Sequence, residues 1–96
     1  MPELLSAEQV SDALQGLAGW SGGTDRISRT VRVAADRQKD LVDEVMHAAD
    51  QMNHHPQVET EGEAVTFVNW THSAGGVTDL DLQLARRIDE IVASSG

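Results

Sequence analysis

The sequence predicts an α+β domain in which an antiparallel sheet is covered on one face by helices, in the order α-β-β-α-β-β-α. Three observations carry this. Apolar residues recur at helical spacing in three stretches. Two pairs of stretches with strand period are each joined by a turn signal, as antiparallel hairpins require. A length of 96 residues suits one domain, spanning 1–96, with a modest core and little stability to spare.

The elements follow in order. "SAEQ" at 6–9 reads as a capping box, with Ser6 accepting from first-turn amides and Gln9 reaching back. The helix it opens runs to about Leu17, buries Val10, Leu14 and Leu17, and is stopped by Gly19. "GGT" at 22–24 turns a short strand around Trp20 into a longer one, "RISRTVRV", whose Ile27, Val31 and Val33 share a face with Arg29. Asp36 is positioned to cap a second helix over 36–53, with Leu41, Val45, Ala48, Ala49 and Met52 as its apolar stripe. Pro56 ends it and pushes His55 out of the α region. "VETEGEAVTFVNWTH" reads as a second hairpin turning near Glu61-Gly62, with Val65, Phe67 and Asn69 on one face. After "SAGG", Thr78 caps a last helix with Asp81 three residues on, and Leu80, Leu84, Ile88 and Ile91 form its stripe.

Composition narrows the function classes. Seven basic residues oppose sixteen acidic ones, a formal charge of −9, which repels nucleic-acid phosphates and anionic membranes. With no cysteine, thiol nucleophiles, disulfides and zinc–thiolate sites are excluded. The first ten residues show no signal-peptide pattern, and no apolar run is long enough for a membrane span, which suits a soluble cytoplasmic protein. Three aromatic residues, Trp20, Phe67 and Trp70, are too few for a nucleic-acid stacking platform.

The chemistry-bearing residues are histidines. His54 and His55 stand where the second helix is about to break, at a helix end that carries partial negative charge. Asp50, four residues before His54, reaches that ring if the helix persists, a setting for proton transfer near neutrality. His72 sits at a strand-to-loop junction before a flexible segment, where a rigid support often carries a functional side chain. Against these stand plainer readings: a capping or surface histidine pair, a capping role for Asp81, a core role for Trp20 and a solvated His47. Trp70 shares strand parity with His72, which suits a cleft wall or a subunit contact. Adjacent histidines point about 100° apart on a helix and seldom share a metal, and no HExxH pattern occurs, so no metal ligand is assigned.

"LSAEQV", "GW" at 19–20, "DQMNHHP" at 50–56, "THSAGGVTDLD" at 71–81 and "LARRID" at 84–89 together resemble the pterin-4a-carbinolamine dehydratase family, nearly end to end. The specific part is an acid four residues before His-His-Pro, a Thr-His-x-x-Gly-Gly segment, and a Thr and an Asp opening the last helix. The resemblance implies a four-stranded antiparallel sheet with three helices on one face, and a hydro-lyase that converts a 4a-hydroxytetrahydropterin to quinonoid dihydropterin. It further implies no cofactor, a homodimer or homotetramer, and a link to aromatic amino acid hydroxylases through tetrahydrobiopterin recycling. By resemblance His54, His55 and His72 are catalytic, with His54 and His72 as the acid–base pair. Asp50 orients His54, Asp81 orients His72 or contacts the pterin, and Pro56 and Trp20 lie at the site. The sequence departs from the family at Val58, commonly aromatic there, at Asn69, commonly apolar, and in a second strand without phenylalanine. These departures motivate an alternative, a dehydratase-like interaction module that binds a partner or assists assembly without catalysis.

Overall fold

The computed structural model describes residues 3–95, so the outermost ends of the expected 1–96 domain lie outside the described residues. Among these, three helices and four strands follow the expected order: α1 (Ala7–Gln15), β1 (Ser21–Gly22), β2 (Ile27–Arg32), α2 (Ala35–Met52), β3 (Gln57–Glu61), β4 (Ala64–Asn69) and α3 (Asp79–Ser95). The strands form one antiparallel sheet in the order β1-β2-β4-β3, so the two hairpins meet through β2 and β4.

Register explains which residues face the helices. Ile27 pairs with Asn69, Arg29 with Phe67 and Val31 with Val65, and Val58 stands beside Phe67 from the other side. Paired residues share a face. Ile27, Val65 and Phe67 on that face are fully buried against Val45, Ala49, Leu84 and Ile88 of α2 and α3. The opposite face is mostly polar, with the Thr30 and Thr66 hydroxyls 2.8 Å apart across the strands. Arg29, the charged residue on the apolar parity, is accommodated because its guanidinium reaches across the sheet to Asp89 of α3 at 2.6 Å.

Several boundaries differ from the sequence reading. The capping box forms as expected: the Ser6 hydroxyl accepts from the Gln9 amide and the Gln9 side chain accepts from the Ser6 amide. However, α1 ends at Gln15, and tight turns carry the chain on, so Leu17 is buried although it is not helical. Asp36 does not cap α2. The N-cap is Ala34, without a side-chain bond, and Asp36 sits in the first turn, where its charge suits the helix dipole. In α3, Leu82 and Ala85 join Leu84, Ile88 and Ile91 in the core, while Leu80 is only half-buried. Among the described residues, no helix is long and apolar enough to cross a membrane.

Candidate active site

The break after α2 builds one wall of the site. Asn53 takes the left-handed conformation (φ 53°, ψ 40°), which Asn tolerates better than most residues, and its amide donates to the Ala49 and Asp50 carbonyls. The His54 amide donates to the Ala49 carbonyl at 3.0 Å, the long reach-back that closes a Schellman-type helix end, and buried Pro56 follows. The helix therefore stops at Met52, and both histidines lie beyond it rather than on its last turn.

That turn exchanges the expected partners. His54 swings inward, and its Nε2 lies 2.5 Å from Oδ1 of Asp81, not of Asp50. Asp50 instead lies 2.6 Å from His55 Nε2, at an exposed position. The two pairs differ in environment. The side chains of His54 and Asp81 are 10% and 0% exposed, whereas those of His55 and Asp50 are 45% and 71% exposed. The outer pair is screened by water and contributes little to stability; the inner pair is held in low dielectric, where losing one partner is costly.

Asp81 is the hub of a buried network. Its Oδ2 accepts from the Thr78 amide at 2.9 Å and from the Thr71 hydroxyl at 2.8 Å. With the Thr71 hydroxyl committed to Asp81, the Thr78 hydroxyl, 2.8 Å away, must donate to the Thr71 oxygen, and it in turn accepts from the Leu80 amide. The expected capping role of Asp81 and an orienting role are thus both filled, one by each carboxylate oxygen. The orienting role acts on His54, not His72. An Asp81 carboxylate with donors on both oxygens fixes a hydrogen on His54 Nε2 and leaves Nδ1 as the nitrogen without a protein partner among the described residues. Asn69, also fully buried, donates from Nδ2 to the Asp81 carbonyl at 3.2 Å and pins the start of α3 to the end of β4.

The second wall follows β4. The Thr71–Gly76 segment closes on itself: the Thr71 amide donates to Gly76 and the Gly75 amide to Thr71, each at 2.9 Å, with Gly75 at φ +80°. This rigid turn presents His72, whose ring centroid is 4.7 Å from that of Trp70 at a 47° tilt. Between the walls opens a cleft of about 630 Å³, lined by His54, His55, Pro56 and Gln57 on one side and by Trp70, Thr71, His72 and Ser73 on the other. Its volume is in the range of small-molecule sites. The structure thus brings His54, His55, Pro56 and His72 to one hollow, with Asp50 and Asp81 behind the rings.

Trp20 is not brought there. It is buried, and its Nε1 donates to Asp89 at 2.8 Å beside the Arg29 guanidinium, two turns along α3 from Asp81. Val58 likewise packs against the core, and the cleft's aromatic wall is Trp70. Sequence reasoning singles out Thr71 within its motif and Asn69 as a departure but finds no site-building role for either, since their partners on α3 are ten or more positions away. Among the described residues, no group of three or more His, Asp or Glu side chains is arranged to hold a metal ion.

Comparison with known proteins agrees with this architecture. Residues 3–91 match the family described as pterin 4 alpha carbinolamine dehydratase. A Nocardia farcinica protein carrying that activity as a provisional name is 48% identical over 90 residues, 93% of this chain and 95% of its own. A similarly named Bradyrhizobium protein is 41% identical over 97 residues, covering 98% of each chain. A crystal structure from Brucella melitensis, described as a transcriptional coactivator/pterin dehydratase, superposes with a TM-score of 0.84 at 27% identity, covering 91% of this chain and 96% of its own.

Proposed function

The chain belongs to the pterin 4 alpha carbinolamine dehydratase family, and on that premise we propose that it dehydrates a 4a-hydroxytetrahydropterin to the quinonoid dihydropterin by histidine acid–base catalysis. The observation that carries the reading is the meeting of His54, His55 and His72 around one cleft large enough for a flat bicyclic ring.

The reaction asks for two proton transfers. The N5–H proton leaves, its electron pair forms the N5=C4a double bond, the C4a–O bond breaks, and the departing hydroxyl takes a proton to become water. His54 suits the first transfer. Its Nδ1 carries the free lone pair, and the buried Asp81 carboxylate stabilises the imidazolium that forms, as the acid of a catalytic triad does. His72 suits the second. It is exposed and can be reprotonated from water, and the indole face beside it attracts a cationic ring. His55, tethered to Asp50, positions the substrate from the same wall as Pro56. Groups so placed each contribute about 10²–10⁴-fold in rate. The chain's own residues supply every proton carrier in this scheme, so the reading requires no cofactor. We further place the protein in the cytoplasm, as a homodimer or homotetramer serving tetrahydropterin recycling beside an aromatic amino acid hydroxylase.

Mixing the protein with freshly generated 4a-hydroxytetrahydropterin should accelerate dehydration above the uncatalysed rate, and His54→Ala should remove most of that gain. No acceleration by the unmodified protein would end the enzymatic reading. The double description of the Brucella relative favours a second reading, a partner-binding module. It requires a stoichiometric partner whose capture survives loss of all three cleft histidines.

A further inference from the structure

The helix-facing row of β4 runs through Val65, Phe67 and Asn69 and continues, past the strand end, to Thr71. All four are buried. Asn69 stands opposite Ile27, so an amide occupies a place whose neighbours along and across the sheet are apolar. The protein uses only half of that amide. Nδ2 donates to the Asp81 carbonyl at 3.2 Å, whereas Oδ1 is buried and accepts from no group among the described residues. The two ends cannot be exchanged, because an oxygen turned toward the Asp81 carbonyl would repel it. A buried acceptor without a donor costs free energy that an apolar side chain of the same shape would not. Packing therefore does not account for an asparagine at this position.

We propose that Asn69 and Thr71 are positioning residues for the dehydration, a two-point clamp by which the end of β4 fixes Asp81 and, through it, the placing of His54 relative to His72. The inference rests on the dehydratase reading and adds to it the part that holds the two proton carriers in register. Asn69 grips the backbone of Asp81, and Thr71 grips its carboxylate, donating to Oδ2 at 2.8 Å. Oδ1 is thereby aimed at His54 Nε2. Thr71 also anchors the turn that presents His72: its amide donates to the Gly76 carbonyl and its carbonyl accepts from the Gly75 amide, each at 2.9 Å. From one imidazole to the other the path is thus the His54–Asp81 bond, the Asp81–Thr71 bond and the step from Thr71 to His72 along the chain. Neither grip suffices alone. Without the Thr71 hydroxyl the carboxylate can swing about its bond to the Thr78 amide, and without the Asn69 amide the first turn of α3 can slide along the strand end. Small displacements of a proton carrier from its working geometry are costly in rate, which gives Asn69 a function to weigh against its unused oxygen.

Asn69→Leu tests the clamp, because Asn69 does not line the cleft and leucine has nearly its shape. Loss of a structural residue lowers stability and rate together; loss of this positioning residue should separate them. With freshly generated 4a-hydroxytetrahydropterin, kcat should fall by about 5–10-fold at unchanged KM. Tm by circular dichroism should stay level or rise by up to about 5 °C. Thr71→Val, which keeps the shape and loses the donor, should lower kcat by about 10-fold or more, and Thr71→Ser, which keeps the donor, should hold it within about twofold of the unmodified protein. An Asn69→Leu protein with kcat within about twofold of the original, a loss that appears in KM instead, a Tm that falls along with kcat, or equal kcat for the serine and valine variants would overturn the clamp, while the activity of the unmodified protein would keep the dehydratase reading in place. No acceleration by the unmodified protein would remove both.

Discussion

Replacing Asp81 by Asn separates its two roles. In the native site Oδ2 accepts from the Thr71 hydroxyl and the Thr78 amide, and Oδ1 meets His54 Nε2. An asparagine must keep its single oxygen toward the two threonine donors, because the reverse orientation would set its NH₂ against the Thr78 amide. Its NH₂ then faces His54 and forces Nε2 to accept. The ring proton moves to Nδ1, and the base facing the cleft is lost. We expect kcat to fall by about 10²-fold or more, the range of one general base. The threonine bonds and the cap survive, so stability should drop by only about 1 kcal/mol. Asp81→Ala removes all three bonds. It strands buried donors at about 1–3 kcal/mol and forfeits a cap at about 1 kcal/mol, for a total of about 2–4 kcal/mol. At about 4–8 °C per kcal/mol for a domain of this size, that lowers Tm by roughly 10–30 °C. Initial dehydration rates and thermal unfolding by circular dichroism read the two effects separately. An Asp81→Asn protein with activity within about twofold of the original would refute the tautomer argument. An Asp81→Ala protein with unchanged Tm would refute the network.

Three further outcomes follow from the same geometry. His54→Ala leaves Asp81 buried without its partner and should cost about 3 kcal/mol in denaturant unfolding, whereas His55→Ala, at an exposed pair, should cost under about 1 kcal/mol; equal costs would contradict the inner and outer assignment. Gly76→Ala drives a Cβ onto the Thr24 carbonyl and should destabilise by more than about 2 kcal/mol, while Gly75→Ala meets open space and loses only the left-handed backbone preference, about 1 kcal/mol; urea midpoints check the order. Trp20→Phe loses one bond to Asp89 and should lower stability by about 1 kcal/mol with KM for the pterin unchanged; a raised KM would return the indole to the site.

The element order is legible in the sequence because local periodicity encodes it: Val10 and Leu17, the β-branched run of β2, and the Leu41 to Ala49 stripe all face the core they suggest. The capping signals at Ser6 and Thr78 are local too, and both form. Arg29 shows the limit. On parity alone it weakens a strand, and only Asp89, sixty positions away, explains it. The histidine partners are misread for a related reason. Helical spacing pairs Asp50 with His54, but the left-handed Asn53 ends the helix first and turns the ring toward Asp81. Asn before His-His-Pro is a residue type suited to that conformation, so a trace of the signal is present. Nothing near Thr71 or Asn69 announces that each fastens to the start of α3.

The chain's four histidines offer a direct test of whether one cleft gathers three of them. His47 is an internal control, since it is exposed on α2 and lines a separate hollow with Asp43, Glu44 and Arg87. With imidazole carbons labelled and assigned, a 7,8-dihydropterin should be titrated in and the four ring resonances followed by NMR. The expected result is that His54, His55 and His72 shift together along a single binding curve while His47 stays still. Movement of His47 with the others, or a cleft histidine that stays unmoved or follows a different affinity, would contradict a shared pterin site.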